Sequence, residues 1–145
     1  MQAREFVSVC TCNLANRPNA APKLVLKADE NFVWLIDYTI GNTWENLKVN
    51  PVVSLSFMDQ DTLNGYQVNG SVEIVEKGAE YNTILKELEQ REIDLSTRRI
   101  IEGVVRGKSH KTFEVSIPKK FVIFKIKITE VVEIHPTGGL KRENA

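Results

Sequence analysis

The segment "GNTWENLKVNP", residues 41–51, carries side chains with clear potential for ligand chemistry. Asn42 is a favourable N-cap residue, and Glu45 completes a capping-box pattern, so a helix is predicted to begin here and to stop at Pro51. The first turn of a helix has backbone N–H groups without intrahelical partners and lies at the positive end of the helix dipole. The segment is therefore a candidate phosphate-binding site, while a capped turn without a ligand is the alternative interpretation.

The cysteines and histidines give no comparable signal. Cys10 and Cys12 are two residues apart in a predicted strand, so their side chains share a face and a disulfide between them would be strained. No second cysteine pair or histidine cluster completes a zinc site, and His110 and His135 are far apart in the sequence. We predict no metal site and no catalytic side chain. The cysteines are interpreted as small apolar strand residues, with a redox pair or metal site as the alternative.

The composition excludes several classes of protein. A chain of 145 residues has the size of one domain, and its 42% hydrophobic and 26% charged residues are typical of a folded globular protein. The 19 basic and 19 acidic residues balance, which argues against a nucleic-acid-binding protein. No apolar run approaches the roughly 20 residues of a membrane span. No secretory signal is visible, so a cytoplasmic location is expected.

The order of predicted elements favours a small barrel. Pro22 predicts an edge, bulge or break in its strand, and Gly70 predicts a bulge in a long strand. The spacing of Tyr81, Ile84, Leu85 and Leu88 predicts an amphipathic helix. Strands are predicted at 5–12, 20–28, 32–38, 52–59, 66–76 and 120–135, and helices at 43–50, 77–92 and 96–106.

The predicted fold class is mainly β with helices (α+β), as a six-stranded antiparallel barrel, because closure removes the open edges that a flat sheet would leave. The barrel is expected to form a single domain over residues 1–145, with a mobile tail at about 136–145.

The motifs, taken in order, resemble the FMN-binding split-barrel family related to pyridoxamine 5'-phosphate oxidase. The resemblance covers roughly residues 5–92 and the final strand. It rests on a turn ending in "RPN", a strand with "AAPK", an apolar strand, the Gly-x-Thr-x-x-Asn-Leu helix start, the following "NP", and "GYQVNGSVEIVEKGAEY".

The resemblance implies a split β-barrel that binds FMN at a homodimer interface, with the flavin ring along the second and third strands. The implied ring and ribityl contacts are Ala21, Pro22, Lys23, Leu24 and Val25. The implied phosphate contacts, at the turn before the short helix, are Asp37, Tyr38, Thr39, Asn42, Thr43 and Asn46.

One departure from the family pattern concerns charge. Many relatives carry a lysine before the helix-start threonine, where this chain has Asn42. An amide does not replace the full charge that a lysine offers to a phosphate. Lys23, Arg106 or a basic residue of a partner chain are the candidate replacements.

The leading functional hypothesis is a small FMN-dependent oxidoreductase, in which the cofactor carries the chemistry and the protein positions it. One alternative is a flavin-binding or electron-carrier protein without a substrate of its own. Another is a split barrel that binds deazaflavin or heme. Pyridoxamine phosphate oxidase activity itself is disfavoured, because the C-terminal "HPTGGLKRENA" does not supply the Arg- and His-rich substrate segment of that enzyme. The substrate and electron donor are not readable from the sequence.

Overall fold

The computed structural model describes residues 6–38, 40–90 and 121–145. This part of the chain contains seven strands and two helices. Helix α1 is Asn42–Val49, and residues 79–90 form helix α2. The strands are β1 (Phe6–Cys12), β2 (Pro18–Ala28), β3 (Phe32–Asp37), β4 (Val52–Met58), β5 (Gly65–Val75), β6 (Val122–Ile134) and β7 (Leu140–Asn144). The predicted helix at 96–106 lies outside the described residues, as do Arg106 and His110.

Six of the strands close into an antiparallel barrel. They follow the order β3-β2-β1-β4-β5-β6, and β6 returns to pair with β3. The 13-residue β6 makes closure possible, because it is long enough to pair with β5 along one edge and with β3 along the other. The predicted six-stranded antiparallel barrel is confirmed.

Side-chain alternation fills the barrel with branched apolar residues. Val7 and Val9 of β1 point inward, and Phe124 and Ile126 of β6 do the same between lysines. Strand β3 is buried along its whole length after Phe32, in agreement with its nearly continuous apolar sequence. The core therefore follows the period-two pattern of the sequence.

Strand β2 projects beyond β3 at its beginning. All of its first half pairs with β1, but pairing with β3 starts only at Leu24. Pro22 lies opposite Ser8 in the half that has one neighbouring strand, so the predicted edge position is confirmed. Helix α1 packs against β1, β2 and β5.

Gly70 forms the predicted bulge. The register between β5 and β6 shifts between Asn69 and Gly70. A Cβ atom at Gly70 would collide with the carbonyl oxygen of Lys127 and would lie 2.7 Å from Cγ2 of Ile126. Two strands therefore approach each other here at a distance that excludes any side chain.

Helix α1 begins one residue earlier than predicted. Gly41 is the N-cap and Asn42 is already helical, and no side chain makes a capping hydrogen bond. The predicted capping box between Asn42 and Glu45 is therefore wrong, because Asn42 lies one position too far into the helix for its side chain to cap it. The helix ends at Val49, and Asn50 caps it before Pro51, as the proline predicts.

The chain divides into two compact units. The first contains Met1–Glu76 and Phe121–Ala145, and the second contains Lys77–Lys120. In the second unit, α2 carries the predicted apolar stripe, with Ile84 and Leu88 buried. The expectation of a single domain stays a prediction. No helix of the described residues has the length and apolar character needed to cross a membrane.

Strand β7 extends the sheet past the barrel. It pairs antiparallel with the last residues of β6, through a turn in which Gly138 has a φ of 94°. The backbone N–H of Gly138 donates to the carbonyl oxygen of His135. The sequence did not predict this strand, because "LKREN" has no apolar alternation. The motion of the tail in solution stays a prediction.

Candidate functional site

Helix α1 is fastened to one end of the barrel by two buried polar side chains. Thr43 and Asn46 are three residues apart and so share a helix face. The Nδ2 atom of Asn19 donates to Oγ1 of Thr43 at 3.2 Å, and Nδ2 of Asn46 donates to Oγ1 of Thr11 at 3.1 Å. The first bond holds the first turn of α1 against the projecting half of β2, and the second holds the helix against β1.

A buried ion pair joins β2 to β3 inside the barrel. Alternation places Lys23 on the inward face of β2, two residues from Val25, and Asp37 ends β3. The Nζ atom of Lys23 lies 2.6 Å from Oδ1 of Asp37, and both side chains are buried. Desolvation makes such a pair a weak source of net stability but a strong constraint, since removal of one partner strands a buried charge.

The start of α1 offers backbone donors. The first intrahelical hydrogen bond runs from the N–H of Glu45 to the carbonyl oxygen of Gly41, at 3.0 Å. The N–H groups of Asn42, Thr43 and Trp44 therefore precede the intrahelical ladder. The Asn42 side chain is exposed, and Tyr38 is partly exposed with its ring edge-on to Phe121 at 6.3 Å. The chemistry available here is hydrogen-bond donation to an anion.

The residues predicted to contact the flavin ring do not share one face of β2. Pro22 is exposed and Leu24 is half-buried on the outer face, while Lys23 and Val25 point into the barrel. Val25 is fully buried among core residues, so its side chain is not available to a ligand outside the barrel.

The predicted phosphate contacts fall into two groups. Asp37, Thr43 and Asn46 are buried and hydrogen-bonded to protein groups, while Tyr38 and Asn42 reach the surface. Thr39 lies outside the described residues. Sequence reasoning missed the roles of Thr11 and Asn19. The alternation of Asn19, Ala21 and Lys23 along β2 is the signal that could have placed Asn19 on the inward face.

These residues fit the phosphate of FMN through the backbone rather than through a side-chain charge. The N–H groups at the start of α1 are suitable donors, and Asn42 adds an exposed amide. The Lys23 ammonium is held by Asp37 inside the barrel. The donor set is thus neutral apart from the helix dipole.

The cysteines lie on the outer face of β1. Cys10 is exposed, Cys12 is partly buried, and both are thiols. Among the described residues, no group of three or more His, Cys, Asp or Glu side chains could hold a metal ion. The expectation of no metal site stays a prediction.

Solved structures share this fold at low sequence identity. HupZ of Group A Streptococcus is 21% identical, with a TM-score of 0.66, and the match covers 97% of this chain and 90% of that one. A Clostridium acetobutylicum protein related to general stress protein 26, of the pyridoxinephosphate oxidase family, is 17% identical, with a TM-score of 0.67 and coverage of 96% and 84%.

A third similar structure is a pyridoxamine 5'-phosphate oxidase-related, FMN binding protein from Nostoc punctiforme. It is 12% identical, with a TM-score of 0.58 and coverage of 97% and 87%. No curated protein matches this chain. The sequence model of the family described as pyridoxamine 5'-phosphate oxidase matches residues 1–135. The chain therefore belongs to the pyridoxamine 5'-phosphate oxidase family.

Proposed function

We propose that this protein binds FMN at the start of α1 and acts as a small oxidoreductase. One observation carries the proposal: the Asn19–Thr43 hydrogen bond brings the projecting half of β2 against the first turn of α1. The segment expected to follow the flavin ring and the donors expected to hold its phosphate therefore meet at one end of the barrel. Membership of the family supports the same ligand.

The proposed phosphate site uses the N–H groups of Asn42, Thr43 and Trp44, together with the exposed Asn42 amide. The buried Thr43 and Asn46 fix the helix so that these donors are already aligned before the ligand arrives. Preorganised donors lower the cost of binding, because no part of the site has to be ordered first.

The chemistry of the proposed enzyme belongs to the flavin, which accepts a hydride at its ring when bound. The chain's own residues bind and orient it. Pro22 and Leu24 lie on the outer face of β2, and in this proposal the flavin ring packs against that face. The buried Lys23–Asp37 pair keeps β2 and β3 in register beneath that surface.

We also propose a homodimer, because the outer face of β1 and β4 exposes a mixed apolar patch. We call this the β1–β4 patch, and its described residues are Phe6, Ser8, Cys10, Val52, Ser54, Ser56 and Met58. Phe6 is 69% exposed and Met58 is 63% exposed. Ser8 lies opposite Ser56 and Cys10 opposite Ser54, so small residues form a flat centre between large apolar ones. A second copy would cover this surface.

A charge substitution at the helix start tests the proposed phosphate site. Asn42→Asp puts a negative charge beside the phosphate, and we expect FMN affinity to fall about tenfold. Asn31→Asp is the control, because Asn31 is exposed in the turn before β3, at the other end of β2. Affinity is measured by quenching of flavin fluorescence. Equal affinity in both variants would place the phosphate elsewhere.

Thr43→Ser and Thr43→Ala test whether the hydroxyl group of Thr43 is needed for FMN binding. Serine keeps the hydroxyl that accepts from Asn19, so we expect FMN binding close to that of the unchanged protein. Alanine removes this acceptor and should weaken binding several-fold, with the fold checked by circular dichroism. The same titrations with a deazaflavin and with heme test the alternative ligands. Preferential binding of either would contradict FMN as the cofactor.

A further inference from the structure

The outer edge of β7 is the feature from which we infer a second self-association surface. Among the described residues, β7 is the last strand of the sheet, and its only neighbouring strand is β6. All five of its residues are exposed. A strand edge of this kind presents a row of backbone donors and acceptors that can pair with another chain.

The hydrogen bonds at the two ends of the β6–β7 hairpin show which backbone groups face outward. The N–H of His135 donates to the carbonyl oxygen of Gly139 at 2.8 Å. The N–H of Ala145 donates to the carbonyl oxygen of Thr129 at 3.0 Å. Odd-numbered residues of β7 therefore bond to β6. The groups of Leu140, Arg142 and Asn144 face away from β6, because backbone directions alternate along a strand.

The charges of β7 distinguish among the possible pairings with a second copy. The outward-facing backbone N–H and C=O groups of two β7 strands can form antiparallel hydrogen bonds only when even-numbered residues stand opposite one another. Pairing Leu140 with Arg142 sets Lys141 against Lys141, and pairing Arg142 with Asn144 sets Glu143 against Glu143. Both registers place like charges directly opposite, which is destabilising.

The register in which all five residues of both strands overlap is centred on Arg142, and it brings together two unlike pairs and one like pair. Arg142 stands opposite itself, Leu140 opposite Asn144, and Lys141 opposite Glu143 of the other copy. Lys141 and Glu143 already form an ion pair at 2.5 Å within the strand, so two copies would form a checkerboard of alternating charges. Each Arg142 is held by Glu130 at 3.2 Å, which offsets the approach of the two guanidinium groups.

We propose that β7 pairs with β7 of a second copy about a two-fold axis at Arg142, which joins the two barrels through one continuous sheet. The proposal rests on the edge and its charges and does not depend on the ligand or on the β1–β4 patch. It at least doubles the mass of the particle that the rest of the chain forms, because a β1–β4 dimer would carry two β7 edges.

The charge test uses Glu143→Lys in the full-length protein. This change sets Lys141 against lysine at both cross-strand positions. It also removes the Lys141–Glu143 ion pair within β7, so amide exchange at residues 141 and 143 checks that β7 stays paired with β6. We expect the mass measured by light scattering at micromolar concentration to fall at least twofold, with dissociation at least about tenfold easier. Glu30→Lys is the control, because it makes the same charge change on an exposed residue of the β2–β3 turn.

The backbone test uses Asn144→Pro, which removes an outward-facing N–H while the bonds to β6 remain. We expect the same fall in mass from this variant, and we expect amide exchange at residue 142 to be slow in the unchanged protein and faster in the variant. Equal masses in all variants would overturn the proposal. A loss of mass with proline but not with Glu143→Lys would overturn the register. Retention of FMN binding by both variants would separate this interface from the proposed flavin site.

Discussion

At the scale of single residues, the Lys23–Asp37 pair is a buried ion pair whose loss has a predictable effect on stability. Lys23→Met removes the cation and leaves the Asp37 carboxylate buried, so we expect the free energy of unfolding to fall by about 3 kcal/mol. Urea denaturation followed by tryptophan fluorescence measures this change.

The double variant Lys23→Met with Asp37→Asn is the matched control. It removes both charges of the pair, so we expect it to be more stable than the single variant. A double variant less stable than Lys23→Met would contradict the expectation that Lys23 stabilises the protein by neutralising the buried Asp37 carboxylate.

The sequence predicted the short helix but misplaced its cap, and the roles of its residues toward a ligand stay predictions. Asparagine is a residue type that favours the N-cap position, but Gly41 occupies that position and Asn42 is exposed in the first turn. Lys23 was expected to supply a charge to a ligand, whereas the structure holds it against Asp37. Such pairings join residues 14 positions apart, and only the register between strands decides them.

At the same scale, Glu130 tests the polar contacts beside β7. A hydrogen bond from Asn69 and the neighbouring Arg142 lower the pKa of Glu130 below its ordinary value of 4.5, with Asn69 the larger cause. We therefore expect Asn69→Ala and Arg142→Ala each to raise the pKa of Glu130. Titration of the carboxyl carbon by NMR measures both. An unchanged pKa in either variant would contradict the contact that it removes.

At the scale of elements, the β6–β7 hairpin has a predictable pH dependence. The pKa of Glu143 is lowered by its bond to Lys141, and the pKa of Lys141 is raised by the same bond. The carboxylates of Glu130 and Glu143 thus stabilise the hairpin above pH 4.5, and this contribution is lost as the pH falls through their lowered pKa values. The Lys141 contribution is present below pH 10.5 and is lost as the pH rises through its raised pKa.

Backbone amide shifts of residues 140–145 report on this hairpin. We expect them to be constant near neutral pH and to move toward unstructured values below pH 4.5. Shifts that stay constant down to the lowest pH at which the barrel is folded would show that the ion pairs contribute nothing to the hairpin.

The bulge at Gly70 gives a stability prediction for the barrel. Gly70→Ala forces a methyl group against the backbone of Lys127, so we expect a loss of about 1–3 kcal/mol in the free energy of unfolding. Gly65→Ala in the same strand is the control, since its Cβ would meet Ile134 at an ordinary 3.6 Å. Equal stability of the two variants by thermal denaturation would mean that the bulge relaxes around the methyl group.

Elements were more predictable than contacts. Strand alternation and the positions of Pro22, Gly70 and Pro51 predicted the six barrel strands and the short helix between β3 and β4. Strand β7 was missed because its side chains are all exposed and leave no apolar pattern. Its pairing comes from the turn at Gly138 and from backbone bonds to β6, which composition does not reveal.

At the scale of the whole molecule, the proposed dimer places the β1–β4 patch between two copies. Ser56→Arg puts a large charged side chain at its flat centre, so we expect loss of that interface and of FMN binding together. Light scattering and flavin fluorescence measure the two effects, with Glu30→Arg as the control. FMN binding that survives loss of the interface would show that one chain holds the cofactor alone.

The absorption spectrum of the purified protein, recorded after addition of FMN and desalting, tests whether the protein binds FMN. We expect flavin bands that remain with the protein and that appear as released FMN on denaturation. A colourless protein from which FMN passes freely would contradict the proposed function. The neutral helix start at Asn42 would then be the first feature to re-examine.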